Sequence, residues 1–307
     1  MMYVIPPKMV FCILGIFINA LILNGSLSAH TALHKVPKAL KDGHSHNDYY
    51  RRRPLLDALE NGFCSVEADV FLHKGKLMVG HIKAEVFFAR SLEELYLAPL
   101  KKWVEEHDGC VFPDAPHFYL WIELKSDAQE TWNALLPLLK KYESILTVTE
   151  DGKTTKRAVQ VILTGNRPMR EFYRLEKENH LEKQNVKREE GSGDNPLYAT
   201  LDGRLEELDG ARPSWVIRAI NDKWSNHFTW RGKGEFPPQE RQKLEKIVEK
   251  AHAQGRIVRF WGTPQNENFW RVMRECKVDL LGTDHLEKFR NFTNAELRDG
   301  ESEPAEP

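Results

Sequence analysis

The stretch Ser65-Val66-Glu67-Ala68-Asp69-Val70-Phe71-Leu72 reads as a β-strand. Side chains alternate along an extended chain, so Val66, Ala68, Val70 and Leu72 share one face while Glu67 and Asp69 share the other, about 6–7 Å apart. An exposed strand can carry the same pattern. The flanking valines and phenylalanine place this one in a buried sheet, where two carboxylates are costly unless they bind a cation. A second stretch repeats the arrangement: Phe118, Leu120, Ile122 and Leu124 fall on one face, and Tyr119, Trp121, Glu123 and Lys125 on the other. Glu123 can complete an oxygen-ligand set with Glu67 and Asp69. Carboxylates with water in the remaining positions suit one divalent cation, Mg²⁺ or Ca²⁺, rather than Zn²⁺. Lys125 beside them suits an anionic substrate.

Reading outward, apolar runs predict strands at 41–46, 64–72, 118–125, 158–164, 198–201, 215–219, 257–261 and 278–283. Helical spacing predicts helices at 54–60, 92–106, 131–142, 169–187, 238–253 and 267–275. Strands alternating with helices over about 250 residues point to an α/β (β/α)8 TIM barrel, with a doubly wound open sheet as the competing architecture. In either fold the chemistry sits at strand ends.

The chain carries 44 Lys plus Arg against 45 Asp plus Glu, a formal charge of −1, which argues against nucleic acid as a partner. Its N-terminus combines Lys8, an apolar run over 9–23 and the small residues of 25–29, so 1–28 is expected to be a cleaved signal peptide. Export follows as the expected localisation, the alternative being an uncleaved membrane anchor. The run is short for a spanning helix, and no other stretch approaches one. Cys64, Cys110 and Cys276 show no C-x-x-C spacing; three buried thiols, or one disulfide with a free thiol, both fit. The barrel domain is expected over 36–292. A disordered acidic tail is expected over 293–307, and a solvated helix followed by a mobile loop over 176–195.

Histidines stand at two useful places, in Gly43-His44-Ser45-His46-Asn47-Asp48 after the first strand and at Gly80-His81 after the short 76–79 segment. Two imidazoles near one barrel mouth can supply a general base and a general acid. Together with His46-Asn47-Asp48-Tyr49, Pro54-Leu55-Leu56-Asp57-Ala58-Leu59, Gly62 and Leu77-Met78-Val79-Gly80-His81, the acidic strand resembles the N-terminal catalytic signature of the PI-PLC-like phosphodiesterase superfamily. Within it the chain is most similar to the "altered inheritance of mitochondria" phosphodiesterase-like group. Glycerophosphodiester phosphodiesterases and sphingomyelinase D-type enzymes are more distantly similar. Ile122-Glu123-Leu124-Lys125, Val258-Arg259-Phe260-Trp261 and Asp279-Leu280-Leu281-Gly282-Thr283-Asp284 resemble the later strand signatures, so the likeness spans most of the chain.

That resemblance implies His46 and His81 as the acid–base pair, and Glu67, Asp69 and Glu123 as ligands of one divalent cation. It implies Lys125 at a phosphate oxygen, with Asn47 and Trp261 on the substrate side. The implied activity is cleavage of a small phosphodiester, either a glycerophosphodiester or a phospholipid head group. Two departures suggest rearranged phosphate binding: Asn47 stands where glycerophosphodiesterases have Arg, and Ile82 where they often have Asp. Arg51, Arg52 and Arg53 are tempting replacements, though three consecutive arginines read more simply as an exposed basic loop. An amidohydrolase-like metal site built on His44-x-His46 with Asp284 is a second reading. It lacks histidines after the middle strands, where Asp202 and Asn221 stand. A nonenzymatic binding protein on the same barrel is a third, and it sits poorly with an intact acid and histidine set. Trp224, His227, Phe228 and Trp230 form either a lipid or sugar pocket or a packed loop.

Overall fold

The computed structural model describes residues 36–182 and 196–302. The expected signal peptide and the expected mobile loop beyond residue 182 lie outside them. Among the described residues the strands are β1 (Leu40–Ser45), β2 (Phe63–His73), β3 (Lys76–Val79), β4 (Phe118–Leu124), β5 (Val148–Glu150), β6 (Lys153–Thr155), β7 (Val159–Gly165), β8 (Thr200–Gly203), β9 (Ile217–Lys223), β10 (Ile257–Trp261) and β11 (Leu280–Thr283). Strand order is β1-β11-β10-β9-β8-β7-β4-β2, and β1 pairs with β2 as well, which closes eight parallel strands into a barrel. Closure decides between the two architectures that strand–helix alternation allows. β3 adds to β2 antiparallel outside the ring, with Val70 opposite Val79. β5 and β6 form a separate hairpin.

The helices are α1 (Leu56–Glu60), α2 (Ala98–Glu106), α3 (Ala128–Lys141), α4 (Met169–Glu182), α5 (Trp224–His227), α6 (Pro238–Ala253), α7 (Glu267–Glu275) and α8 (Leu286–Ser302). α3 begins three residues before its apolar periodicity because the Asp127 side chain accepts from the Gln129 and Glu130 amides at 3.0 and 2.9 Å. The expected helix at 92–106 contains a π turn at Glu93–Leu97. Pro99 has no N–H to donate to the preceding turn, and the ladder shifts just before it. None of the described helices is long and apolar enough to cross a membrane.

The expected disordered tail is corrected over its first part, since α8 continues through Asn294 to Ser302. Apolar content alone misjudges it. Phe292 is buried, Glu296 accepts from Arg271 at 2.9 Å and Arg274 at 3.1 Å, and Arg274 also donates to the Thr293 hydroxyl at 2.6 Å. These contacts tie the segment to α7. Residues 303–307 lie outside the described part.

Two cores follow from the alternation. Val66, Ala68 and Val70 join the large apolar cluster between barrel and helices, with Leu120, Ile122 and Leu124 from β4. Trp121, Ile162, Ala219, Ile257 and Leu280 form a second, smaller cluster, with Tyr119 packed against it. Their strand positions point these side chains into the barrel, where they plug the lumen beneath the polar layer. Cys64 and Cys276 are buried, Cys110 is half-buried, and all three are free thiols.

Candidate active site

Register carries the carboxylates to one level. Glu67 pairs opposite Trp121 and Asp69 opposite Glu123, so the two acids of β2 and the one of β4 rise from the apolar plug toward the carboxyl ends of the strands. One oxygen from each of Glu67, Asp69 and Glu123 lies within 4.8 Å of the others, and among the described residues these form the group able to hold a metal ion. Gly165 makes room for it. Its φ is +72°, and a Cβ there would stand 2.8 Å from the Glu123 Cγ and 2.7 Å from the Leu124 carbonyl.

Each acid is only partly committed to protein partners. Asp69 Oδ2 meets Tyr49 Oη at 2.9 Å, His81 Nδ1 at 3.0 Å and Lys125 Nζ at 3.0 Å, whereas its Oδ1 is buried with no partner. Glu67 Oε2 faces Arg259 at 3.2 Å, His44 Nε2 at 3.5 Å and His46 Nε2 at 3.9 Å. Glu123 Oε1 accepts from Lys125 at 2.8 Å. Burial opposes the Glu67 charge, but Arg259 and the histidines outweigh it and hold that carboxyl well below its usual range. Glu123 is pushed up by burial and by Asp69, with Lys125 opposing. Burial, nearby Asp69 and the hydrogen bond to it keep the Tyr49 phenol protonated. A buried, unpartnered carboxylate oxygen beside two further acids is the environment a hard cation relieves, and the all-oxygen donor set fits Mg²⁺ or Ca²⁺.

Both histidines of the expected pair reach this cluster. His46 Nδ1 donates to Asp284 Oδ1 at 2.8 Å, which leaves Nε2 as the free, basic nitrogen on the Glu67 side. The Asp284 carboxyl is held at about 2 by that hydrogen bond, against burial and with help from Gln265, whose amide donates at 2.6 Å. His81 Nδ1 lies against Asp69 and within 3.1 Å of Tyr49 Oη, and its ring is half exposed. Asn47 is occupied inside the site, its Oδ1 2.7 Å from Tyr49 Oη and its Nδ2 3.3 Å from His46 Nδ1. Trp261 stands exposed on the rim beneath the Lys223 ammonium, 5.4 Å from its ring.

His44 also faces Glu67, but from below the mouth. It is fully buried, its Nδ1 is taken by Ser65 Oγ at 2.8 Å, and burial together with Arg259 lowers its pKa to about 3, so it stays neutral. Asp202 and Asn221 are bonded to each other at 2.8 Å. Among the described residues the group able to hold a metal comprises the three carboxylates and neither His44 nor His46, so the His44-x-His46 metal reading gains no support. The expected exposed arginine loop is corrected at Arg51, which donates to the carbonyls of Asp284 at 2.6 Å, His46 at 3.2 Å and Thr283 at 3.4 Å. It clamps the His46 loop to the Asp284 loop. Trp224, Phe228 and Trp230 are a packed loop, stacked among Phe236, Phe260 and Phe269 with almost no exposure.

Residue types alone do not reveal four members of the site: Tyr49, Arg51, Arg259 and Gln265. Asp284 stands in the last strand signature and in the H-x-H reading, but nothing in the sequence assigns it to His46. The nearest signal was their place in motif stretches; what each touches depends on chain folding over as many as 238 positions.

The AIM6-like phosphodiesterase domain family matches residues 36–181. Altered inheritance of mitochondria protein 6 of Eremothecium gossypii is 30% identical over 284 residues, covering 81% of this chain and 68% of that protein. The homolog of that protein in Arthroderma benhamiae is 25% identical over 277 residues, covering 81% of this chain and 82% of its own. Among solved structures, a glycerophosphodiester phosphodiesterase from Parabacteroides distasonis aligns at TM-score 0.48 and 16% identity, covering 85% of this chain and 100% of that one. A likeness at that level adds nothing to the barrel closure already seen in the strand pairing. The E. gossypii relative, 30% identical with 68% of its length covered, settles the membership: this chain belongs to the AIM6-like phosphodiesterase family.

Proposed function

We propose that the protein is a metal-dependent phosphodiesterase that cleaves a glycerophosphodiester or a phospholipid head group by histidine acid–base catalysis. One observation carries this reading: two imidazoles, each fixed at Nδ1 by a carboxylate, flank a three-carboxylate cluster with a lysine at the same barrel mouth. A divalent cation held by Glu67, Asp69 and Glu123 would supply positive charge to the phosphoryl oxygens.

The chain's own groups divide the proton work. Asp284 stays ionised beside His46 Nδ1 and stabilises the imidazolium, so His46 Nε2 takes the proton of the attacking hydroxyl. His81, whose Nδ1 lies against Asp69 beside Lys125 and Tyr49, returns a proton to the leaving oxygen. Lys125 lies where it can bind a phosphate oxygen once substrate draws it from Glu123. The test is turnover of glycerophosphodiesters, lysophospholipids, sphingomyelin and phosphoinositides with Mg²⁺ or Ca²⁺. Cleavage of one class, lost in His46→Ala, is expected; no turnover of any, or equal turnover by that variant, overturns the reading.

A further inference from the structure

Large apolar side chains are exposed on this protein in one place above all. Among the described residues six are markedly exposed, and four of them, Tyr50 (59%), Ile82 (54%), Phe87 (66%) and Phe88 (95%), lie on the loops around His81. A fifth, Trp261, stands elsewhere on the rim of the same mouth. Random scatter of exposed hydrophobes is ordinary; a patch of aromatic rings at the entrance to a site is not.

Local structure holds these rings outward. Glu85 accepts from the His81 amide at 2.6 Å, the Ile82 amide at 3.3 Å and the Tyr50 hydroxyl at 3.0 Å, folding the loop so that Val86 is buried while Phe87 and Phe88 face solvent. Phe87 packs edge-on against His73 at 5.3 Å, beside the turn between β2 and β3. That hairpin runs past the level of Asp69, and its tip carries exposed Lys74 and Lys76. An open cleft of about 490 Å³ leads from Tyr49 and Gly80 past Tyr50 and Arg52 to Phe88 and Arg90.

Basic residues outnumber acids around the patch. Arg52, Lys74, Lys76, Lys83 and Arg90 are exposed, while the acids among them are engaged, Glu85 as above and Glu94 by the Ser91 amide and hydroxyl at 2.8 and 2.7 Å. Aromatic rings ringed by lysine and arginine match the boundary between acyl chains and anionic head groups.

We propose that loop 82–90, with Tyr50 and the 74–76 hairpin tip, is a docking surface for an anionic lipid bilayer that delivers substrate to the mouth along the cleft. This deepens the phosphodiesterase reading and rests on it only for what the surface delivers. The binding itself is measured without turnover.

The test uses the full chain carrying Phe88→Trp and vesicles of phosphatidylcholine with phosphatidylserine, some acyl chains brominated. The introduced indole should be quenched by bromolipid beyond the wild-type background. Phe87→Ser with Phe88→Ser should weaken vesicle partition about tenfold per ring, and each lysine-to-glutamate change at 74, 76 or 83 about fivefold or more at low salt. His46→Ala should bind like wild type. Quenching without turnover of any phosphodiester would leave the surface standing and remove the catalytic reading. Absence of quenching overturns the surface, as does a concentration-dependent dimer that Phe88→Ser abolishes while vesicles leave the indole unchanged.

Discussion

The two halves of the barrel mouth hold buried acids in opposite ways. At the ends of β7, β8 and β9, Asp202 Oδ2 accepts from Thr164 at 2.7 Å, Arg204 at 2.7 Å and Asn221 at 2.8 Å, and its Oδ1 lies 3.5 Å from Arg167 Nε. That Oδ1 accepts no hydrogen bond, so this single acid is balanced by the charge of two guanidiniums, Arg167 and Arg204. Across the mouth, Glu67, Asp69 and Glu123 lie within 4.8 Å of one another with Lys125 and Arg259 beside them, and burial together with the Asp69 charge pushes the Glu123 carboxyl up. The difference shows that an acid matched by cations stabilises the barrel, whereas clustered like charges are held at a cost that the rest of the fold offsets.

Substitutions can break that comparison. Asp202→Ala should cost about 3 kcal/mol of stability in urea unfolding, because it removes the buried carboxylate that Thr164, Asn221, Arg167 and Arg204 share. A loss below about 1 kcal/mol would show that half to be no more structural than the other. His46→Ala and His81→Ala should each lower phosphodiester turnover about 10²-fold, near 2.7 kcal/mol of barrier, with divalent-ion affinity kept. If instead both His44→Ala and His46→Ala strip the metal and His81→Ala is silent, the mechanism is wrong.

Asp69→Asn, Glu67→Gln or Glu123→Gln should weaken ion binding by about tenfold or more in calorimetric titration, roughly 1.4 kcal/mol. Asp69→Asn, by relieving like-charge crowding, should not lower the urea midpoint of the ion-free protein. A fall as large as that of Asp202→Ala would erase the contrast. The smallest effect concerns acid. The folded Asp284 carboxyl at about 2 lies below its ordinary 3.8, so its contribution is full above 3.8 and lost as pH falls toward about 2. Asp284→Asn should therefore flatten the decline of the urea midpoint across that window; an unchanged slope would mean the His46 contact does not couple to folding.

Much of the site was legible because it obeys a local rule. A period of two puts Glu67 with Asp69, and Glu123 with Lys125, whatever the fold does with the strands. The contacts at 2.8 and 3.0 Å from Lys125 to Glu123 and Asp69 follow once β4 lies beside β2. The arginine loop and the tail were misjudged for the same reason, since Arg51 and Glu296 are ordered by partners far along the chain. No composition window contains those partners.

The aromatic segments make the point from both sides. Trp224, Phe228 and Trp230 read as candidates for a pocket and are core, while Phe87 and Phe88 drew no attention and are exposed. A side chain's hydrophobicity is a property of the residue; whether it meets water depends on what packs against it.

The amino-acid sequence by itself determined the strand alternation, the shared face of the carboxylates, and the motif stretches that contain both histidines, because these rest on backbone period and near-neighbour chemistry. Tertiary structure alone decided that the sheet closes, that Asp284 meets His46 Nδ1, that Asp202 faces two arginines while Asp69 is crowded by two further acids, and which aromatics face solvent. Each of those outcomes requires groups from distant strands to arrive at one place, and hydrogen bonding and burial then select among options that every residue type leaves open.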